Sequence, residues 1–491
     1  MAEAPLAAGL AGRWGAALCF GVALTVSRRL TRYAFALAIL SLPPFANAHA
    51  ISLREAVQQA IDTHPTVAAS EANRAASDYQ LKQAKGRLLP TIDTIGDVGS
   101  QKIIRPNSLG PGLNDRWRNR QTIAVTVRQT LFQGWDRAND IYKNAARVDA
   151  AALRVLESSQ GLGLEAVEAY IDVHRHSQLI AIARNNVRRH REILRLVRTR
   201  HEGGKAPRSE VDQTLERVAG SEAVIAEIEQ SQLEAIAKYR KVIGREPDGT
   251  HAVPYPRRMP LNRRTAIDIA LANHPTIRAA GADADVARYE YRQSRSSYYP
   301  TVSLEGTASW GEDIDGIQGR NDELVGKVVL SWNIFDGLIK VNRRRELAER
   351  WTAAQLERDV RIREVVEAID RALAAFQAGK ARVDSFEEQV DINRKVVKTY
   401  FEEYELSKRS LLDLLDAENA LFNSQFQLES VRAVHIFSAY QLLAGTGQLL
   451  TALNVSAPEA AQSDARLQRI PQRRRDRHLG NYDLYIEPLK K

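Results

Sequence analysis

The stretch YELSKRSLLDLLDAEN, residues 404–419, places Asp413 and Asp416 three residues apart among Leu411, Leu412, Leu414 and Leu415. Carboxylates at i and i+3 of a helix are neighbours, and left unanswered they repel by roughly 0.2–0.5 kcal/mol. Such a pair can divide general-acid and general-base roles, which requires a partner group at catalytic spacing. None stands nearby, and Glu402, Glu403 and Glu405 read as a solvated helix face. The pair can equally serve the backbone: Ser410-Leu411-Leu412-Asp413 matches the S/T-x-x-D/E box that holds a helix start. His64 and His274 suggest metal, but each is followed by proline, and a capping or turn role outweighs ligation. The chain also lacks G-x-x-x-x-G-K-S/T, so energy for any vectorial work comes from another protein.

The elements that carry these residues are written twice. Residues 51–101 align with 261–311 at an offset of 210. His64-Pro65-Thr66 falls on His274-Pro275-Thr276, and Pro90-Thr91 on Pro300-Thr301. Leu131-Phe132-Gln133-Gly134 matches Ile334-Phe335-Asp336-Gly337 at an offset of 203, so a length-variable loop lies between the proline and the F-x-G. Either side of that loop the pattern alternates. Val125, Val127 and Leu131, and Val328, Leu330, Trp332 and Ile334, face one way; Thr126, Arg128 and Thr130, and Ser331 and Asn333, face the other. Apolar-out, polar-in strands over about 91–133 and 301–335 fit a transmembrane barrel better than a soluble hairpin. The loops, about 101–120 and 311–323, are then extracellular.

After each F-x-G the period becomes seven. Ile362, Ile369, Phe376, Val383, Val390 and Val397 share a register with Val173, Ile180, Val187 and Leu194, which is a coiled-coil seam. Proline-free helical pattern runs over about 137–199 and 340–401, on the order of 90–100 Å each. Each copy then turns, at Gly203-Gly204-Lys205-Ala206-Pro207 or Ser407-Lys408-Arg409, and returns as a helix.

The 491 residues are 44% hydrophobic and 26% charged, ample for ordered cores. Arg28-Arg29-Leu30-Thr31-Arg32, the apolar run 33–40 and Ala46-Asn47-Ala48 read as a secretory signal peptide, so 1–48 is a leader. Its removal takes away the only cysteine, Cys19, and with it any disulfide or lipoprotein anchor. The net charge of +9 does not indicate nucleic acid once the chain is exported. Beyond the leader no apolar run reaches the 18 residues of a membrane helix, so entry into a membrane is by strands. Four strands cannot close a barrel and lipid does not tolerate open edges, so the chain must oligomerise; three copies give twelve strands.

H-P-T, L-x-P, L-F-x-G and S-L-L-D-L-L-D-A, at this spacing and in tandem, resemble the TolC family of outer-membrane channel proteins over about 51–453. The resemblance implies a mainly α fold with a β-barrel part: a homotrimer whose twelve-stranded barrel in the outer membrane continues into a periplasmic α-helical barrel. It implies no cofactor and no catalysis, and as partners a periplasmic adaptor, an inner-membrane ABC exporter or other pump, outer-membrane lipid and the transported substrate. In that family the D-x-x-D lines the periplasmic entrance, so Asp413 and Asp416 are expected to form a cation-binding ring. Tyr404 and Arg409 match positions that tie the entrance shut, with Ser209 and Glu210 as partners; Glu210 replaces the family's aspartate. The missing lipoprotein cysteine favours type I secretion of a protein, with similarity to exporters of adenylate-cyclase haemolysin toxins. Small-molecule efflux is the alternative, and a soluble periplasmic coiled-coil adaptor would leave the strands unexplained. The organisation expected is repeats at 49–260 and 261–453 and a basic tail at 454–491, solvated along the periplasmic exterior.

Overall fold

The structure, a computed structural model, describes residues 51–103, 116–249, 252–256, 258–316 and 318–466. The expected signal peptide, the middle of the first loop and the arginine-rich stretch past Arg466 lie outside the described residues. Copy one runs α1 (Leu53–Thr63), α2 (Pro65–Gly86), β1 (Thr91–Lys102), β2 (Trp117–Gln133), α3 (Asp136–Glu202) and α4 (Arg208–Ile243). Copy two repeats the order as α5 (Arg263–Asn273), α6 (Pro275–Gln293), β3 (Thr301–Glu312), β4 (Arg320–Ser331), α7 (Ile339–Glu405) and α8 (Leu411–Gly445).

The helix expected before each strand is two helices, because a proline ring clashes with the carbonyl four residues back but suits a first helical position. Pro65 and Pro275 each open a new helix. His64 takes the turn role expected of it, its Nδ1 accepting from the Thr66 amide at 3.2 Å. His274 holds the same extended backbone, but its ring makes no such bond.

The four strands form one antiparallel sheet in the order β1-β2-β3-β4, with β1 and β4 at its edges. Alternation sets the two faces. Ile123, Val127, Leu304, Trp310, Leu324 and Val328 are exposed on one. On the other, Arg128 pairs with Glu305 at 2.8 Å, Lys327 reaches Glu305 at 3.6 Å, and Thr126 meets Thr307 at 3.3 Å. The ladders run further into the loops than the apolar pattern indicates, to Lys102↔Trp117 and Glu312↔Arg320, since backbone pairing outlasts the need for apolar side chains. At the other end β4 stops at Ser331, leaving Trp332 and Ile334 outside the strand. Ser331 pairs with Thr301, the first residue of β3, and the preceding Pro300 has no N–H to continue the ladder.

Each F-x-G is a strand-to-helix corner of two left-handed residues: Gly134 (φ 54°) and Trp135 (φ 64°), then Gly337 and Leu338 (both φ 68°). A Cβ at Gly134 would stand 2.9 Å from Ser296 backbone atoms, so that corner needs glycine for space as well as conformation. The corners launch α3 and α7, each 67 residues, which at 1.5 Å per residue is about 100 Å. Along them Ile369, Phe376, Val390 and Val397, and Val173, Ile180, Val187 and Leu194, are buried, while Ile362 and Val383 are half-buried. The heptad residues therefore serve packing inside the chain.

The tail departs from the solvated arm expected of it, as far as it is described. Val455 and Ala465 are buried. The Ala465 and Arg466 amides donate to the Asp149 carboxylate at 2.8 and 3.3 Å, and the Arg466 guanidinium bridges Asp149 and Asp285 at 2.5 and 2.6 Å. Asp149 lies on α3 and Asp285 on α6, so one arginine fastens the strap to both copies. Periodicity could not reveal a strap held by backbone amides and one ion-pair bridge.

Candidate functional site

The two turns at the far ends of the long helices bring the predicted residues together. Their backbones repeat at the offset of 203: the Lys205 amide bonds the Arg200 carbonyl at 2.7 Å, and the Lys408 amide the Glu403 carbonyl at 2.8 Å. Both turns need a left-handed residue, which is Gly204 (φ 68°) in one and Ser407 (φ 57°) in the other. For a residue with a Cβ that conformation costs roughly 1–2 kcal/mol. Arg200 answers it, donating to Ser407 Oγ at 2.7 Å and to the Tyr404 carbonyl at 2.6 Å, with its guanidinium 4.6 Å from the Tyr404 ring centre.

Tyr404 is 3% exposed, packed with Ile193, Leu194, Val197, Val211, Leu411, Leu414 and Leu415. Its hydroxyl donates to Glu210 Oε2 at 3.0 Å, so the predicted cross-copy tie forms within one chain. Burial, reinforced by the charge and hydrogen bond of Glu210, pushes the phenol up to about 12. Arg409 does not join that tie. It binds Glu403 at 2.9 Å, reaches Asp413 at 3.8 Å and stacks 4.2 Å from the Tyr400 ring centre, all within its own copy. Those carboxylates, Glu403 foremost, raise its pKa. Ser209 is exposed at the start of α4.

Asp413 and Asp416 both lie off the buried face of α8 that carries Leu411, Leu414 and Leu415. The Asp413 amide donates to Ser410 Oγ at 3.1 Å, which is the serine's half of the capping box. Its carboxylate remains 47% exposed, and that of Asp416 is 60% exposed with Arg217 at 3.4 Å. Each acid thus has one cation nearby and open sides left for further ligands, as a cation site built from several chains requires. Among the described residues, no group of three or more His, Cys, Asp or Glu could hold a metal within a single chain.

Sequence reasoning missed Arg200, Glu403 and Arg217. Arg200 carried a readable signal: a basic residue in the last helical turn before Gly203-Gly204, where the helix dipole favours a cation. Arg217 carried none, since its nearness to Asp416 arises only when α4 lies beside α8.

A family profile described as outer membrane efflux protein matches residues 56–245 and 266–448, one segment in each copy. The chain is 26% identical over 403 residues to the outer membrane efflux protein BepC of Brucella suis, covering 81% of this chain and 86% of that protein. It is 24% identical over 416 residues to the alkaline protease secretion protein AprF of Pseudomonas aeruginosa, covering 82% and 86%. In fold it is similar to the outer membrane protein VceC of Vibrio cholerae, with a TM-score of 0.70 at 16% identity over 83% of this chain and 97% of that one. The Campylobacter jejuni CmeC outer membrane channel gives 0.71 at 13% identity, over 81% and 86%.

Proposed function

Because this chain belongs to the outer membrane efflux protein family, we propose that three copies join edge to edge as the exit duct of a tripartite export machine. The observation that carries this reading is the open sheet. Edge strands β1 and β4 are each 12 residues long, opposite in direction and exposed on an apolar face. In lipid such edges must be paired, and β4 of one copy pairing with β1 of the next closes a barrel without remainder. The protein stands in the outer membrane with its long helices in the periplasm, so an adaptor and an inner-membrane pump supply the energy. The duct carries out no catalysis and holds no cofactor.

The cargo is a secreted protein, delivered by type I secretion, with an adenylate-cyclase haemolysin type of toxin as the narrower assignment. Likeness to a relative named for alkaline protease secretion supports the cargo class; likeness to a relative named for efflux supports the alternative of small toxic compounds. A deletion strain separates them. Loss of a protein from the culture supernatant with unchanged sensitivity to hydrophobic toxic compounds is expected, and the reverse pattern overturns the secretion reading.

At the periplasmic entrance, Asp413 and Asp416 from three chains form a ring of six carboxylates, and Tyr404 with Glu210 holds it narrow. Arg409 and Ser209 complete the closure between chains. Replacing both aspartates by alanine should leave the trimer intact while weakening block by divalent and trivalent cations in planar bilayers. Unchanged block would reduce the pair to the capping role of Asp413.

A further inference from the structure

We propose that the corner between α6, β4 and α7 binds the headgroup of an anionic phospholipid of the periplasmic leaflet. The inference rests on the strands standing in the outer membrane. Below the last β4 pair the chain exposes an apolar collar: Trp332, Ile334, Phe335, Leu338 and Ile339 are 53–79% exposed. Trp332 is tied by its Nε1 to the Tyr298 carbonyl at 3.3 Å, which sets an amphipathic ring at the strand end. Aromatic residues there mark the depth of the membrane–water boundary.

The cations stand immediately beyond. Arg295 lies in the short 3-10 turn Ser294–Tyr298, and Arg345 lies six residues past Ile339, about 9 Å along α7. α7 packs on that 3-10 turn. Both arginines are exposed, and among the described residues neither meets an acid. Arg344, next to Arg345 in the chain, is held by Tyr291, 3.2 Å from its hydroxyl and 5.4 Å from its ring centre.

The local sequence runs against helix chemistry. The first turn of a helix favours acids and disfavours cations. In copy one α3 has Asp136 in its first turn and Asp140 in the next, both engaged by Arg87. In copy two α7 has no acid in its first turn, which carries Lys340, and Arg343, Arg344 and Arg345 follow in the second. Asp336 accepts the Lys340 amide at 3.1 Å and Glu346 pairs with Arg343 at 2.8 Å, which leaves Arg345 as the cation of this run that an external anion can answer. An apolar collar continuous with the lipid-facing strands, followed by unpaired arginines at headgroup depth, fits a phosphodiester with acyl chains attached.

The test counts lipids retained by the full-length trimer, using native mass spectrometry in micelles that contain phosphatidylglycerol or phosphatidylcholine. Preferential retention of phosphatidylglycerol is expected. Arg295→Gln with Arg345→Gln should lower it about fivefold per arginine, roughly 25-fold for both. The lysine pair Arg295→Lys with Arg345→Lys should stay within a few-fold of wild type. No lipid preference in the wild type, or full retention in the glutamine variant, overturns the proposal. Displacement by millimolar inorganic phosphate overturns it in favour of a phosphate site. A trimer that conducts normally yet shows no lipid preference removes this inference and leaves the exit duct standing.

Discussion

Helices α3 and α7 have the same length, start from the same kind of corner and end in matching turns, yet thirty residues of α3 are buried against ten of α7. α3 packs on α2, α4, α6 and α8, whereas α7 packs on α6, α8 and, more briefly, α5. One side of α7 is left with Leu356, Val360 and Ile392 exposed. The copies are thus equivalent in sequence pattern and unequal in surroundings: the first is the inner column of its own chain, and the second is a column with a vacant flank. In the proposed trimer that flank is where a neighbouring copy would pack.

The comparison breaks most sharply at the seam both helices share. Ile369→Asp with Phe376→Asp buries two unpaired charges, each costing several kcal/mol, and should abolish folded copy two along with any trimer in outer-membrane extracts. Normal yield would remove the seam from the core. Leu356→Asp with Val360→Asp touches only the vacant flank. Chains should keep their helical content but sediment as monomers, with roughly 1.5–3 kcal/mol lost per side chain at each contact. Trimers of wild-type stability would place the interface elsewhere.

The two His-Pro steps sharpen the comparison at an intermediate scale. Burial pushes the His274 imidazole down to about 4. The unfolded chain takes up a proton near pH 6.5 and the folded one does not, so stability held above pH 6.5 is lost on acidification towards pH 4. The loss is about 2 kcal/mol between pH 6.5 and 5. His274→Asn supplies a side chain that can cap α6 and does not titrate, so its urea midpoint should hold steady over that range while that of the parent falls. Parallel curves would dissociate the histidine from the acid sensitivity. Smallest is Tyr404→Phe, which deletes one hydrogen bond to Glu210, about 1 kcal/mol. It should raise single-channel conductance modestly without altering trimer stability, and identical conductance would mean that the tie does not hold the entrance.

The repeat, the strand alternation, the heptads and the paired turns were legible because each is a period of side chains, and a period fixes which face is apolar before any partner is known. Whereas the Tyr404–Glu210 tie was expected only from the resemblance to the TolC family, periodicity reached the sheet and both long helices. It did not reach Arg200, whose work is to hold Ser407 in a left-handed conformation, since a turn's strain becomes visible only with its φ angle. Nor did it reach Arg466 on Asp149 and Asp285, or Arg217 beside Asp416, because those bonds join residues that only chain packing brings near. It overran at Trp332 and Ile334, where alternation continued but Pro300 had ended the ladder. The sequence determined what each segment could become, because local periodicity is encoded residue by residue. Tertiary structure decided which of two equivalent copies sits inside and which keeps an open flank, because burial depends on neighbours that no single copy contains.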